Sequence, residues 1–283
     1  DLNFDGIGLM RLEFIIAGEI GEHPNFLIKN NEQEKYINEL VKGIEKIARA
    51  INGKQIIVRF SDFKTNEYKD LKGGKEFEEH EDNPMIGFRG VSRYISNEFK
   101  EAFKLECRAI KKIRETYRNV HVMLPFVRTV EEVEKCLEIM KEEGLERNDE
   151  LKIWLMAEVP SMALISEDFA KLPIDGVSIG SNDLTMLCLG VDRDNEKLGK
   201  MGYFDERNKA VLVAIKNIID GFKKYGKTTS LCGQSVSNYP EIAEFLVRNG
   251  VTSVSVNPDV IGKTRRFIAE LEKKIELERA SSL

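Results

Sequence analysis

The sequence predicts an α/β fold of the (β/α)8 TIM-barrel type, with the first of its eight strands missing from this chain. Three observations lead there. Short apolar runs alternate with amphipathic helical stretches from end to end, the pattern of parallel strands joined by helical crossovers. Run after run stops at a residue able to do chemistry: Ile56-Ile57-Val58 at Arg59, Ile153–Ala157 at Glu158, and Gly176–Gly180 at Ser181-Asn182-Asp183. Thr228–Leu231 likewise stops at Cys232, and Val254–Val256 at Asn257. In a parallel barrel the carboxyl ends of all strands share one rim, so these residues are expected to converge on one site. Finally, 283 residues are ample for one large α/β domain and tight for two, and no linker divides the chain.

Taken in order, a strand is expected at Gly6-Ile7-Gly8-Leu9. A helix follows from about Glu32 to Ala50, where Tyr36, Ile37, Leu40, Val41, Ile44, Ile47 and Ala48 recur at helical spacing before Asn52-Gly53. The strand Gln55–Arg59 comes next. From Ser61 to Gly90 no period is sustained, and so long an irregular stretch in a compact domain is usually functional. A helix is expected from about Asn97 to Tyr117, then the strand Val120–Leu124. Thr129 and Glu132 form a capping-box pattern that starts a helix ending near Gly144. The rhythm then repeats: a strand to Glu158, a helix around Met162–Lys171, a strand to Gly180, and a helix from near Leu184. A further helix is expected around Glu206–Tyr225, followed by a strand to Cys232. Pro240, a good first helical residue, opens a helix closed by Gly250, and the strand Ser253–Val256 leads to a charged C-terminal helix. These runs begin at Gly6, Gln55, Val120, Lys152, Gly176, Thr228 and Ser253. The eighth strand is expected ahead of Asp1, leaving the backbone near Asp1 poorly ordered, since the chain opens without Met and a strand follows almost at once.

Composition excludes several classes. No apolar run approaches the ~20 residues of a membrane span, and the N-terminus lacks the basic-then-apolar layout of a signal peptide. A formal charge of −5 argues against nucleic acid as a partner. Cys107, Cys136, Cys188 and Cys232 show no metal-type spacing, and reduced thiols in a cytoplasmic protein are expected. His23, His80 and His121 have no ligand-like spacing and suit core or surface roles.

Glu158 follows an apolar run, where an unpaired carboxylate would be costly to bury. It is either half of an ion pair or a metal ligand alongside Asp183, which ends the next strand. Two carboxylates completed by water and substrate oxygens suit Mg²⁺. Asn182 and Asp183 are also good helix caps, and the roles are compatible. Arg11, Arg59 and Arg89 each sit at a strand end or in the long irregular segment. One such arginine would be unremarkable, but three on one rim favour a carboxylate or phosphoryl ligand held by guanidinium forks. Cys232 ends a strand and precedes Gly233-Gln234, so its thiol should face the rim. With an ordinary thiol pKa of about 8.5 it stays protonated and can donate a proton.

The same segments resemble the C-terminal pyruvate/phosphoenolpyruvate-binding barrel of the PEP-utilising enzymes. The stretches that carry the resemblance are DGIGLMRLEFI, IIVRFSDFKTNEYKDLKGG, EDNPMIGFRGVSRYI, MLPFVRTVEE, AEVPSMALI, DGVSIGSNDLTMLCLGVDRD, FDERN, LCGQ and SVSVNPD. They cover nearly the whole chain in order. The resemblance implies that Arg11, Arg59 and Arg89 bind substrate and phosphoryl group, that Glu158 and Asp183 hold Mg²⁺, and that Gly180, Ser181 and Asn182 contact substrate. It further implies that Cys232 is the proton donor, in a reaction that passes a phosphoryl group from a phosphohistidine to a Mg²⁺-stabilised enolate of pyruvate. Upstream phosphohistidine and ATP-grasp domains, absent from this chain, and a homo-oligomeric state are implied too. After Cys232-Gly233-Gln234 the family pattern continues Gly-Pro-Ser-Asp, whereas this chain has Ser235-Val236-Ser237-Asn238, which alters the loop beside the thiol. A different branch of the family, or a non-catalytic binding or oligomerisation module, would share the barrel. Retention of Glu158, Asp183 and Cys232 weighs against the module, because folding needs none of them.

Overall fold

The computed structural model describes residues 3–281. Apolar runs become strands as expected: β1 (Gly6–Arg11), β2 (Gln55–Arg59), β3 (Val120–Leu124), β4 (Ile153–Ala157), β5 (Gly176–Gly180), β6 (Thr228–Cys232) and β7 (Ser253–Ser255). Strands and helices alternate in the order of a TIM-type barrel, with seven parallel strands among the described residues where a closed barrel has eight. Every residue of β4 and β5 is buried, as befits parallel strands covered on both faces. The expected poor order at Asp1 falls outside the described residues.

The described residues divide into two compact units, an N-terminal one of Gly6–Met156 with Leu172–Ile174 and a C-terminal one of Ala157–Lys171 and 175–281 with 3–5. In the N-terminal unit β1, β2, β3 and β4 pair in chain order, and Arg11 stands opposite Arg59 at the strand ends. The helix Gln33–Ala50 buries Tyr36, Ile37, Leu40, Ile44 and Ala48. The helix Lys100–Arg114 buries Phe103, Ile110 and Ile113 and, among them, Glu106. Val130–Glu142 starts at the expected capping box: the Thr129 hydroxyl accepts from the Glu132 amide at 3.2 Å, and Glu132 accepts from the Thr129 amide at 3.1 Å.

Within the C-terminal unit β5 pairs with β6 along its length and sets Gly180 opposite Cys232, while β6 pairs with β7 and sets Cys232 opposite Ser255. The helices Lys209–Lys224 and Pro240–Asn249 lie where the pattern placed them, the latter ended by Gly250 at φ +77°.

Three stretches differ from expectation. Ser61–Gly90 is not structureless: it holds the helix Thr65–Asp70 and the single turns Gly74–Glu76 and Pro84–Ile86, each too short to show a period. A buried ion pair ties this stretch down, Arg93 donating to both oxygens of Glu78 at 2.7 and 2.6 Å while His23 lies 2.9 Å from Glu78. Burial alone would raise the Glu78 pKa, but the bonds from His23 and Arg93 outweigh it and leave it lowered. The helix expected over Met162–Lys171 is two, Pro160–Leu164 and Ser166–Ala170, broken at Ile165. After β5 the helix begins at Ser181 rather than near Leu184, which puts Asp183 in its first turn.

Candidate active site

The arginines belong to the N-terminal unit. Arg59 is buried at the end of β2, where it donates to the Glu13 carboxylate at 2.5 Å and to the Met156 sulfur at 3.4 Å. Arg89 is buried too, and the Asp62 carboxylate takes it in a two-pronged grip, from Nε at 3.1 Å and Nη2 at 2.6 Å. Such forks fix orientation as well as position. Arg59 Nη1 lies 4.0 Å from the same Asp62, so one carboxylate organises both guanidiniums. The Arg89 guanidinium also stacks 4.1 Å from the centre of the Phe126 ring. Gly90 makes this approach feasible: at φ +62° a side chain is strained, and a Cβ there would lie 2.6 Å from that of Phe126. Arg11 differs from the other two, being exposed, with its guanidinium 4.4 Å from the centre of the Phe14 ring.

Ser61, the residue before Asp62, belongs to a buried polar cluster. Glu106, with no exposed surface, accepts from the Ser61 amide at 3.0 Å, the Ser61 hydroxyl at 2.5 Å and Tyr36 at 3.3 Å. Burial pushes its carboxyl up to about 7 against the opposing bonds from Ser61. Because the Ser61 hydrogen is given to Glu106, the Tyr68 hydroxyl 2.8 Å away donates to Ser61 in turn.

Glu158, Gly180, Ser181, Asn182, Asp183 and Cys232 belong to the C-terminal unit. Glu158 is 2% exposed and packs on Gly180, where an added Cβ would stand 2.6 Å from its Cγ and 2.8 Å from its Oε1. Gly180 therefore gives the carboxylate its room. Asp183 is buried in the first turn of Ser181–Leu189, where the helix dipole favours an anion, and Arg193 lies 3.7 Å from it. Asn182 beside it is exposed. The Ser181 hydroxyl lies 3.4 Å from that of Ser235 and 3.5 Å from the Cys232 carbonyl. The Cys232 thiol is buried and donates to the Ile179 carbonyl at 3.4 Å.

Two buried carboxylates fit a hard divalent cation. Among the described residues no group of three or more His, Cys, Asp or Glu is arranged around a metal, so Glu158 and Asp183 would supply protein oxygens and leave the remaining positions to water and substrate.

Sequence reasoning did not single out Glu13, Asp62, Glu106, Arg193 or Glu206. Glu206 is buried, its pKa raised by burial against the Ser181 and Ser235 hydroxyls, and its Oε1 has no hydrogen-bond partner among the described residues. The signal for Asp62 was available, as a charged residue three positions beyond Arg59, the last residue of β2. For Glu106 the signal was its place on the apolar face of its helix, three residues after Phe103 and four before Ile110.

A family profile described as "PEP-utilising enzyme, PEP-binding domain" matches residues 1–273, and the chain belongs to that family. Several similar curated proteins are named as phosphoenolpyruvate synthases. It is 55% identical over 285 residues to the probable phosphoenolpyruvate synthase of Staphylothermus marinus, matching 100% of this chain and 34% of the relative. The phosphoenolpyruvate synthase of Aeropyrum pernix is also 55% identical, matching 100% of this chain and 35% of the relative. That of Escherichia coli is 42% identical, matching 95% and 36% respectively. The chain thus spans about a third of the length of these relatives. Among solved structures, malate synthase of Haloferax volcanii, a pyruvate/acetyl-CoA ternary complex, matches 90% of this chain and 59% of its own at 13% identity, with a TM-score of 0.54, a likeness of fold alone. Among the described residues no helix is long and apolar enough to cross a membrane.

Proposed function

We propose that this chain is the pyruvate/phosphoenolpyruvate-binding part of a phosphoenolpyruvate synthase (pyruvate, water dikinase). The whole enzyme would convert ATP, pyruvate and water to phosphoenolpyruvate, AMP and phosphate, and this part would move a phosphoryl group between a phosphohistidine and pyruvate. The observation that carries the reading is identity of 55% along the entire chain to proteins named as such synthases. The phosphohistidine and ATP-grasp segments would belong to other parts of a longer, homo-oligomeric cytoplasmic polypeptide.

The residues present suit that chemistry. Arg59 and Arg89, buried and held in place by Glu13 and Asp62, would bring fixed positive charge to the phosphoryl oxygens, with Arg11 as a third, exposed cation. Glu158 and Asp183 would hold Mg²⁺, which when bound supplies positive charge that stabilises negative charge on the keto oxygen and carboxylate of pyruvate. Gly180, Ser181 and Asn182 immediately precede Asp183 in sequence and would contact the substrate. Cys232 would deliver or accept the proton at the methyl carbon.

Isothermal calorimetry with phosphoenolpyruvate tests this. The wild-type chain should bind it only with Mg²⁺ present, and Glu158→Gln should weaken binding at least ten-fold. Folded, Mg²⁺-supplied wild type that takes up no phosphoenolpyruvate would overturn the reading.

A further inference from the structure

The grip on Arg89 depends on where Asp62 sits, and Asp62 belongs to the irregular stretch 60–64 by which the chain turns from β2 into the helix Thr65–Asp70, a stretch held by several hydrogen bonds. The Asp62 amide donates to Glu13 at 3.0 Å, and the same Glu13 oxygen accepts Arg59 at 2.5 Å. One residue earlier, Ser61 is 1% exposed and all its polar groups are engaged: amide and hydroxyl by Glu106, the hydroxyl again by Tyr68, and the carbonyl by the Tyr94 hydroxyl. Burying an acid without exposed surface in an apolar helix face costs free energy that an apolar residue would not. Glu106 supplies what no apolar residue could, oxygens that accept from Ser61 and from Tyr36. Its placement therefore serves the turn.

We propose that Glu106 is a positioning residue for the phosphoryl-binding arginines: by accepting from the amide and hydroxyl of Ser61 it fixes the turn from which Asp62 orients Arg89 and flanks Arg59. This rests on the arginines' role in the function proposed above. The element that acts is the acceptor, not the charge, because a neutral amide oxygen can also take the Ser61 amide hydrogen. Glu106→Gln keeps one acceptor, and Ser61 can then donate to Tyr68 instead. Glu106→Leu keeps volume but orphans the buried Ser61 amide, a loss of the kind that shifts a turn toward a new partner.

The test measures phosphoenolpyruvate and oxalate binding by calorimetry with Mg²⁺, well below each variant's melting temperature. Oxalate has carboxylates for the metal and no phosphoryl group for the arginines. Glu106→Leu should lose about ten-fold in phosphoenolpyruvate affinity, the worth of one misplaced charge-assisted contact, with oxalate affinity within about two-fold. Glu106→Gln should restore the wild-type preference. A folded Glu106→Leu with unchanged phosphoenolpyruvate affinity would overturn the proposal and assign Glu106 to stability alone, and equal losses for both ligands would overturn it as well. If Glu106→Leu does not fold, Ser61→Ala, which deletes only the hydroxyl link, should still weaken phosphoenolpyruvate selectively, and a folded Ser61→Ala with wild-type affinity would refute the role. Wild type that binds oxalate but no phosphoenolpyruvate would instead remove the arginine site itself.

Discussion

Glu106→Gln should change how the protein's stability depends on pH, in a direction and amount that follow from the buried cluster. The folded-state pKa of Glu106 is about 7, against 4.5 for the exposed group. A carboxyl whose folded pKa is raised stabilises the fold most when protonated. That contribution is fully present below about pH 4.5 and is lost as pH rises through about 7. The gap corresponds to about 3 kcal/mol in total, of which about 2.5 kcal/mol falls between pH 5 and pH 8. Gln cannot ionise, so the variant escapes this loss. The groups facing Glu106, namely Tyr36, Tyr68, Tyr94 and Glu13, are common to both proteins. Subtracting the two stability curves therefore cancels their share to a first approximation. Urea unfolding at pH 5, 6, 7 and 8 should show Glu106→Gln gaining about 2.5 kcal/mol relative to wild type across that range, most steeply between pH 5 and 7. Curves that stay parallel within about 0.5 kcal/mol would show that Glu106 stays ionised at pH 5, and the reasoning from burial would be wrong.

Gly180→Ala should weaken Mg²⁺ binding markedly, because the new methyl would occupy space held by the Glu158 carboxylate, and calorimetry against wild type checks it. Wild-type affinity would mean that Glu158 can turn aside without consequence. Glu78→Ala should destabilise the N-terminal unit by about 3–5 kcal/mol in urea unfolding, since it leaves the buried Arg93 uncompensated. A change below about 1 kcal/mol would show that the pair is not what orders the stretch after β2.

Much of the fold was legible because parallel strands announce themselves as unbroken apolar runs, and because Thr129-Glu132, Pro240 and Gly250 are punctuation with a local mechanism. All seven strands lie where those runs fall. Elements of one or two turns were not legible: Thr65–Asp70 is shorter than the window over which a helical period can be read. The break at Ile165 has no Gly or Pro within the helix to announce it. At the candidate site, strand-end position singled out Arg59, Glu158, Asp183 and Cys232. The groups around Arg59 were harder to read, because Asp62, Glu13 and Glu106 matter through burial and through which oxygen meets which donor, relations that mostly join residues dozens of positions apart.

The central claim is that the chain supports enolisation of pyruvate with Cys232 as the proton-transfer group. Deuterium uptake into the methyl group of pyruvate in heavy water, followed by NMR with Mg²⁺ and without ATP, tests it most directly. Wild type should catalyse the exchange. Cys232→Ala should lower its rate by about 10²–10⁴-fold while oxalate still binds. Exchange unaffected by Cys232→Ala, or no exchange by folded protein that binds both Mg²⁺ and oxalate, would contradict the account.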